Sequence, residues 1–156
     1  MLNENLYELI QVKENHCGSM ALMHAQCFPH DVWSEQVFES FYDEILGDMI
    51  GWLAIYEDEP IGFILARQVI DTAEILSFGV LPGFQGKGIG KQLLIQLIEN
   101  VEVPIFLEVS VENVPAICLY RSNGFEIMTT RRNYYDKPNH KGSKDAYLMR
   151  YTRYVE

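Results

Sequence analysis

The stretch GVLPGFQGKGIGKQLLIQLI, residues 79–98, decides the fold. It leaves an apolar run at Val80-Leu81, turns at Pro82, and places glycine at 83, 86, 88 and 90. It then settles into a stripe of Ile89, Leu93, Leu94, Leu97, Ile98 and Val101, which is the one-sided spacing of an amphipathic helix. A strand, a glycine loop and a helix start therefore follow one another directly. Glycine takes backbone angles that a Cβ would forbid, and a helix start offers unpaired N–H groups and partial positive charge. Such a loop suits an anion, above all a phosphate. Two nucleotide motifs fail on spacing. A Walker A loop ending at Gly90-Lys91 needs glycine at Gln85 and Ser or Thr at Gln92. The dinucleotide pattern G-x-G-x-x-G would place its last glycine at Lys91 or Leu93. What remains is Q-x-x-G-x-G on Gln85, Gly88 and Gly90, which pattern alone leaves as either an anion cradle or a flexible turn.

Outward from this stretch, residues 16–27 have helical spacing (Met20, Ala21, Met23, Cys27). After FPHDVW, Ser34 can cap a second helix reaching about Leu46, with Val37, Phe38 and Phe41 inward. WLAIY and IGFILARQVI flank the turn EDEP as a hairpin, and AEILSFGVL makes a third strand. PIFLEVSV follows the glycine-loop helix as a strand, Asn113 can cap another helix, and Asn123-Gly124 ends it. FEIMTTRRNYY and KDAYLMRYTRY close the chain as antiparallel strands, and LYELIQ near the start is a weak strand. The order predicts an α+β fold, a mixed central sheet with helices on both faces.

At 156 residues, 48% hydrophobic, the chain fits one domain over residues 1–156. Its net charge of -10 argues against a nucleic-acid surface and against an anionic membrane surface. Cys17, Cys27 and Cys118 leave one thiol unpaired in any disulfide scheme, and no basic segment followed by an apolar one opens the sequence. A cytoplasmic protein is expected. His24, Cys27 and His30 read H-x-x-C-x-x-H, but Pro29 interrupts them and no fourth ligand is near in sequence, so no metal is expected.

In PIFLEVSV, Ile105, Leu107, Val109 and Val111 alternate onto one face and leave Glu108 on the other. By pattern Glu108 is either a solvated glutamate or a general base. Tyr120, near the end of its helix, reads as a packing aromatic with its hydroxyl at the rim.

Q-x-x-G-x-G between strand and helix resembles the acetyl-CoA pyrophosphate loop of the GNAT superfamily of N-acetyltransferases. FLEVSVENVPAICLYRSNGFEIMTTRRNYY, residues 106–135, resembles the bacterial ribosomal-protein-alanine N-acetyltransferase family in its signals LEV, N, A-x-x-LY, GF and RRNYY. FPHDVWSEQVF resembles that family's FPWSE segment, with His30, Asp31 and Val32 added between Pro29 and Trp33. The likeness covers about residues 6–150 and implies the GNAT fold and an acetyl-CoA-dependent transfer to a protein N-terminal α-amine. The implied acceptor is the N-terminal alanine of a small-subunit ribosomal protein, and the implied route is direct attack in a ternary complex. It assigns proton acceptance to Glu108 and proton donation to the departing thiolate to Tyr120. It implies that Phe78, Gly79 and Val80 pair through their backbone with the pantetheine arm, and that Gln85, Gly86, Lys87, Gly88, Ile89, Gly90 and Lys91 cradle the phosphates. Asn113 would contact the cofactor besides capping its helix. Trp33, Tyr134 and Tyr135 can wall the peptide N-terminus or serve as packing. Two rivals stay open: the same donor with a lysine or small-molecule amine as acceptor, and an acyl-CoA-binding module without catalysis. Cys118 reads as helix packing rather than as a nucleophile.

Overall fold

The structure, a computed structural model, describes residues 6–134 and 145–153. Strands β1 (Tyr7–Gln11), β2 (Asp48–Tyr56), β3 (Glu59–Val69), β4 (Thr72–Val80), β5 (Ile105–Ser110), β6 (Phe125–Arg131) and β7 (Ala146–Tyr151) form one sheet in the order β1-β2-β3-β4-β5-β7-β6. Helices α1 (Cys17–Cys27), α2 (Glu35–Ser40), α3 (Ile89–Asn100) and α4 (Val114–Ser122) cover it. Among the described strands only β4 and β5 run parallel; every other neighbouring pair is antiparallel. The mixed sheet with helices on both faces is thus as the sequence predicts.

The period-two pattern of the central strands sorts the core into two layers. Leu53, Phe63 and Leu65 point to one face and pack with Cys17, Met20, Met23 and Phe38 of α1 and α2. Trp52, Ala54, Ile64 and Ala66 point to the other and pack with Ile89, Leu93, Leu94 and Leu97 of α3 and Ile117 and Tyr120 of α4. Each fully buried leucine of α3 contributes roughly 1.5–3 kcal/mol. The β2–β3 turn uses Glu57 and Asp58 at φ 49° and 63°, the doubly left-handed turn whose twist suits a two-residue hairpin.

The second helix departs from expectation. It stops at Ser40, and a separate 3-10 turn covers Glu44–Leu46. Ser34 caps its start as expected, accepting from Val37 N at 3.3 Å. Ser40 Oγ donates to the Val37 carbonyl at 2.6 Å, and Asp43 accepts from Ile45 N at 3.1 Å. These local bonds compete with helical ones and end the run. Val37 is consequently exposed rather than inward, Phe41 is half-buried, and of the three only Phe38 is fully buried.

Candidate active site

Two β-bulges set the geometry of the site. In β4, Leu65 faces Ser77 while its neighbour Ala66 faces Ile75, so Leu76 is an extra residue. A bulge reverses the alternation beyond it. Ile75 therefore lies in the α3 layer, whereas Ser77 and Gly79, paired with Leu65 and Phe63, lie on the α1 face. A second bulge at Met128 does the same for β6.

The parallel pair β4–β5 is registered only at Ala73/Ile105 and Glu74/Phe106. Both strands continue, to Val80 and Ser110, without pairing further, so a gap opens between them. Unpaired backbone groups on the free edges of such strands can bond an extended ligand arm. Phe78, Gly79 and Val80 lie along that edge on β4. Phe78 and Val80 turn to the α3 layer, where a Cβ on Gly90 would meet Phe78 Cζ and Val80 Cγ2 at 3.7 Å and Leu119 Cδ2 at 3.8 Å. The end of β4, the start of α3 and the flank of α4 thus converge. Gly79 faces the other way, and a Cβ there would meet Cys27 Sγ at 3.0 Å. Cys27 Sγ also donates to the Val80 carbonyl at 3.3 Å, which pins the end of α1 to β4.

The glycine loop stands open at the mouth of this gap. Gly86 and Gly88 sit at φ 75° and 86°, and a Cβ on either would meet nothing within 4 Å. Gly88 is the N-cap of α3, with no side chain capping the helix, so the first N–H groups of α3 face the loop. These features fit a phosphate group. Ile89 is buried in the core and offers only its backbone, Lys87 is half-buried and Lys91 is exposed. Gln85 plays a structural part, since its Nε2 donates to the Val80 carbonyl at 2.9 Å and folds the loop back onto β4. Asn113 caps α4 as expected, accepting from Ala116 N at 3.3 Å.

Glu108 and Tyr120 approach the gap from opposite faces. Glu108 alternates with buried Leu107 and Val109 and so projects on the α1 face. Its Oε1 is paired with the Arg131 guanidinium, while Oε2 is buried and has no hydrogen-bond partner among the described residues. Tyr120, 7% exposed, lies in the α3 layer with its ring 6.2 Å from that of Phe78 and 5.6 Å from that of Phe125. The arrangement puts a carboxylate and a phenol on either side of the opening between two strands.

Of the aromatic residues singled out in the sequence, Trp33 and Tyr134 belong to separate clusters. Trp33 stacks on His24 at 4.6 Å and packs near Phe38 and Phe41. His24 is buried, and its Nδ1 accepts the Trp33 N–H at 3.4 Å; burial pushes its pKa down, with Asp31 pulling it up. The added residues before Trp33 form a turn, closed by Asp31 N donating to the Phe28 carbonyl at 3.0 Å. His24 and Cys27 are thereby engaged with Trp33 and Val80. Tyr134 sits beside Glu108, with Arg131 5.3 Å over its ring. Its phenol is pushed up by burial, then by the charge of Glu108 and by that of Glu74, against the pull of Arg131. Tyr135 lies outside the described residues. Cys118 is exposed, so packing is not its role.

Arg131 and Ser77 escaped the sequence reading. Arg131 stood in view within RRNYY, but its reach to Glu108 depends on the Met128 bulge, which no residue pattern announces.

The comparisons agree with this geometry. Residues 19–125 match the Acetyltransferase (GNAT) family. A [ribosomal protein bS18]-alanine N-acetyltransferase of Salmonella typhimurium (strain LT2) is 36% identical over 129 residues, 80% of this chain and 82% of that one. The N-alpha-acetyltransferase RimI of Mycobacterium tuberculosis is 41% identical over 78 residues, 49% of this chain and 47% of that one. The crystal structure of the ribosomal-protein-S18-alanine N-acetyltransferase from Escherichia coli superposes with a TM-score of 0.84 at 28% identity, covering 96% of this chain and 97% of that one. Arabidopsis thaliana Naa50, in complex with the bisubstrate analogue CoA-Ac-MVNAL, superposes with a TM-score of 0.79 at 25% identity, covering 95% and 99%. Among the described residues no helix is long and apolar enough to cross a membrane. With its parted parallel strands, open glycine cradle and this span of similarity, the chain belongs to the Acetyltransferase (GNAT) family.

Proposed function

We propose that this chain, as a single N-acetyltransferase domain over residues 1–156, transfers the acetyl group of acetyl-CoA to a protein N-terminal α-amine in the cytoplasm. The acceptor is the N-terminal alanine of a small-subunit ribosomal protein. The observation that carries the reading is the gap between β4 and β5, flanked by Glu108 on one face and Tyr120 on the other and by the glycine cradle at its end. The acceptor identity is supported by the likeness to bS18-alanine N-acetyltransferases along 80% of the chain.

Acetyl-CoA supplies a thioester carbonyl and a thiolate leaving group, and the chain's residues supply the rest. Gly86 to Lys91 hold the phosphates with backbone N–H groups and the start of α3. Phe78, Gly79 and Val80 offer their free strand edge to the pantetheine arm. Glu108 accepts a proton from the acceptor ammonium through Oε2, since Oε1 is held by Arg131. The freed nitrogen forms the C–N bond as the C–S bond breaks and the electron pair leaves with sulfur; Tyr120 gives that sulfur a proton, the second N–H proton shed in forming the amide passes to solvent, and Tyr120 is reprotonated from solvent. A phenol O–H placed at the departing sulfur can supply the proton that a basic thiolate takes up. Asn113 orders the start of α4 and so the placement of Tyr120. Trp33 and Tyr134 wall the acceptor side, on the sheet face that bears Glu108.

The test is intact-mass analysis of small-subunit ribosomal proteins and a panel of N-terminal peptides after incubation with enzyme and acetyl-CoA. One added acetyl on alanine-starting acceptors is expected. A shift confined to free polyamines or to peptides whose only amine is a lysine side chain would overturn the acceptor. Tight acetyl-CoA binding with no turnover on any amine would overturn catalysis itself.

A further inference from the structure

Ser77 is 7% exposed, and its Oγ is buried with no hydrogen-bond partner among the described residues. A buried hydroxyl left unpaired is destabilising, and natural structures seldom keep one without a use. Its position supplies the use. The last registered pair of β4 and β5 is Glu74/Phe106. Counting on from there, Ile75 comes level with Leu107, and the bulge at Leu76 then brings Ser77 level with Glu108. Ser77 is paired with Leu65 of the α1 layer, and Glu108 alternates away from the α3 layer, so both side chains stand on the same face. Between them runs the gap where the two strands no longer bond. Two orphaned oxygens, Ser77 Oγ and Glu108 Oε2, therefore flank one opening. Glu74, on the same face by its pairing with Arg67, adds negative charge nearby.

We propose that Ser77 is a second contact for the acceptor, its Oγ and Glu108 Oε2 together receiving the N–H groups of a primary ammonium. A primary ammonium has three N–H donors, enough to satisfy both oxygens at once. When Glu108 takes one proton, the bond to Ser77 Oγ keeps the nitrogen oriented with its lone pair toward the thioester carbon. This inference rests on the proposed amine-acetyltransferase activity and deepens it: the acceptor nitrogen is held and oriented through a hydroxyl on β4.

The test compares Ser77→Ala with the unaltered enzyme on an alanine-starting peptide. The expected result is a loss of about tenfold in kcat/KM on the primary amine, which is about 1.4 kcal/mol. Acetyl-CoA affinity should stay unchanged and the melting temperature unchanged or higher, because an orphaned buried hydroxyl has been removed. Unaltered kcat/KM in Ser77→Ala, with the parent enzyme active, overturns the contact while leaving the activity standing. A loss matched by weaker acetyl-CoA binding or by a lower melting temperature also overturns it, since Ser77 would then be structural. A parent enzyme that acetylates no amine overturns both this contact and the activity beneath it.

Discussion

Replacing Glu108 by Gln separates the structural from the chemical work of one side chain. Gln keeps the shape, so Leu107 and Val109 remain in the α3 layer and only charge and proton affinity are lost. The structural cost is bounded by the ion pair. Arg131 is 54% exposed and Glu108 12%, and a pair with so wet a partner contributes about 0–1 kcal/mol. The Gln carbonyl can still accept from the guanidinium, which trims the loss further. For a domain near this size, 1 kcal/mol moves the melting temperature by roughly 2–4 °C. The chemical cost is larger: removing a positioned general base lowers turnover about 10²–10⁴-fold, or roughly 3–5 kcal/mol of barrier. Acetyl-CoA affinity should hold, because the glycine cradle lies at the start of α3 and Glu108 projects from the opposite face of the sheet. Glu108→Gln is therefore expected to lose at least about 100-fold in kcat, with melting temperature and acetyl-CoA Kd close to the parent. Chromatographic detection of released coenzyme A, a thermal melt and calorimetric titration read the three quantities. Turnover within a few-fold of the parent would refute the base assignment, and a collapse of the melting temperature would show that Glu108 is held for structure.

Three further outcomes follow from the same geometry. Tyr120→Phe keeps the ring contacts with Phe78 and Phe125 and loses only the hydroxyl, so kcat should fall by about 10² or more while the melt is preserved; single-turnover kinetics with undiminished rate would exclude the acid role. Gly88→Ala meets no atom within 4 Å but sits at φ 86°, so it should cost about 1–2 kcal/mol in urea unfolding and weaken acetyl-CoA binding, whereas Gly83→Ala, equally open and without a positive φ, should bind as the parent does. His24 has its pKa lowered below 6.5 by burial, so below that value the unfolded chain takes up the proton more readily and stability falls as pH drops. Urea midpoints at neutral and mildly acidic pH should therefore diverge in the parent and converge in His24→Gln, with Trp33 fluorescence reporting the loss of the bond from its N–H.

The legible part of the molecule was what periodicity and backbone freedom encode locally. The stripe from Ile89 to Val101, the glycine loop, the Asn113 cap and the Gly124 helix stop (φ 96°) all appear where side-chain spacing and turn chemistry put them. Alternation in PIFLEVSV also gave the correct face for Glu108. What escaped depended on long-range register. Strict alternation would put Ile75 and Ser77 on one face, and the bulge at Leu76 puts them on opposite ones. The bulge at Met128 likewise decides which β6 residues share a face with Glu108, so the Arg131 pair could not be foreseen from RRNYY. The end of α2 was missed because Ser40 and Asp43, ordinary in a helix by pattern, bond locally to backbone groups instead.

The most direct test of the central claim is to locate the acetyl group by tandem mass spectrometry on an alanine-starting ribosomal peptide that also contains lysine. Acetyl on the N-terminal α-amine, with every lysine unmodified, is the expected result. Acetyl on lysine side chains, with the α-amine free, would contradict it.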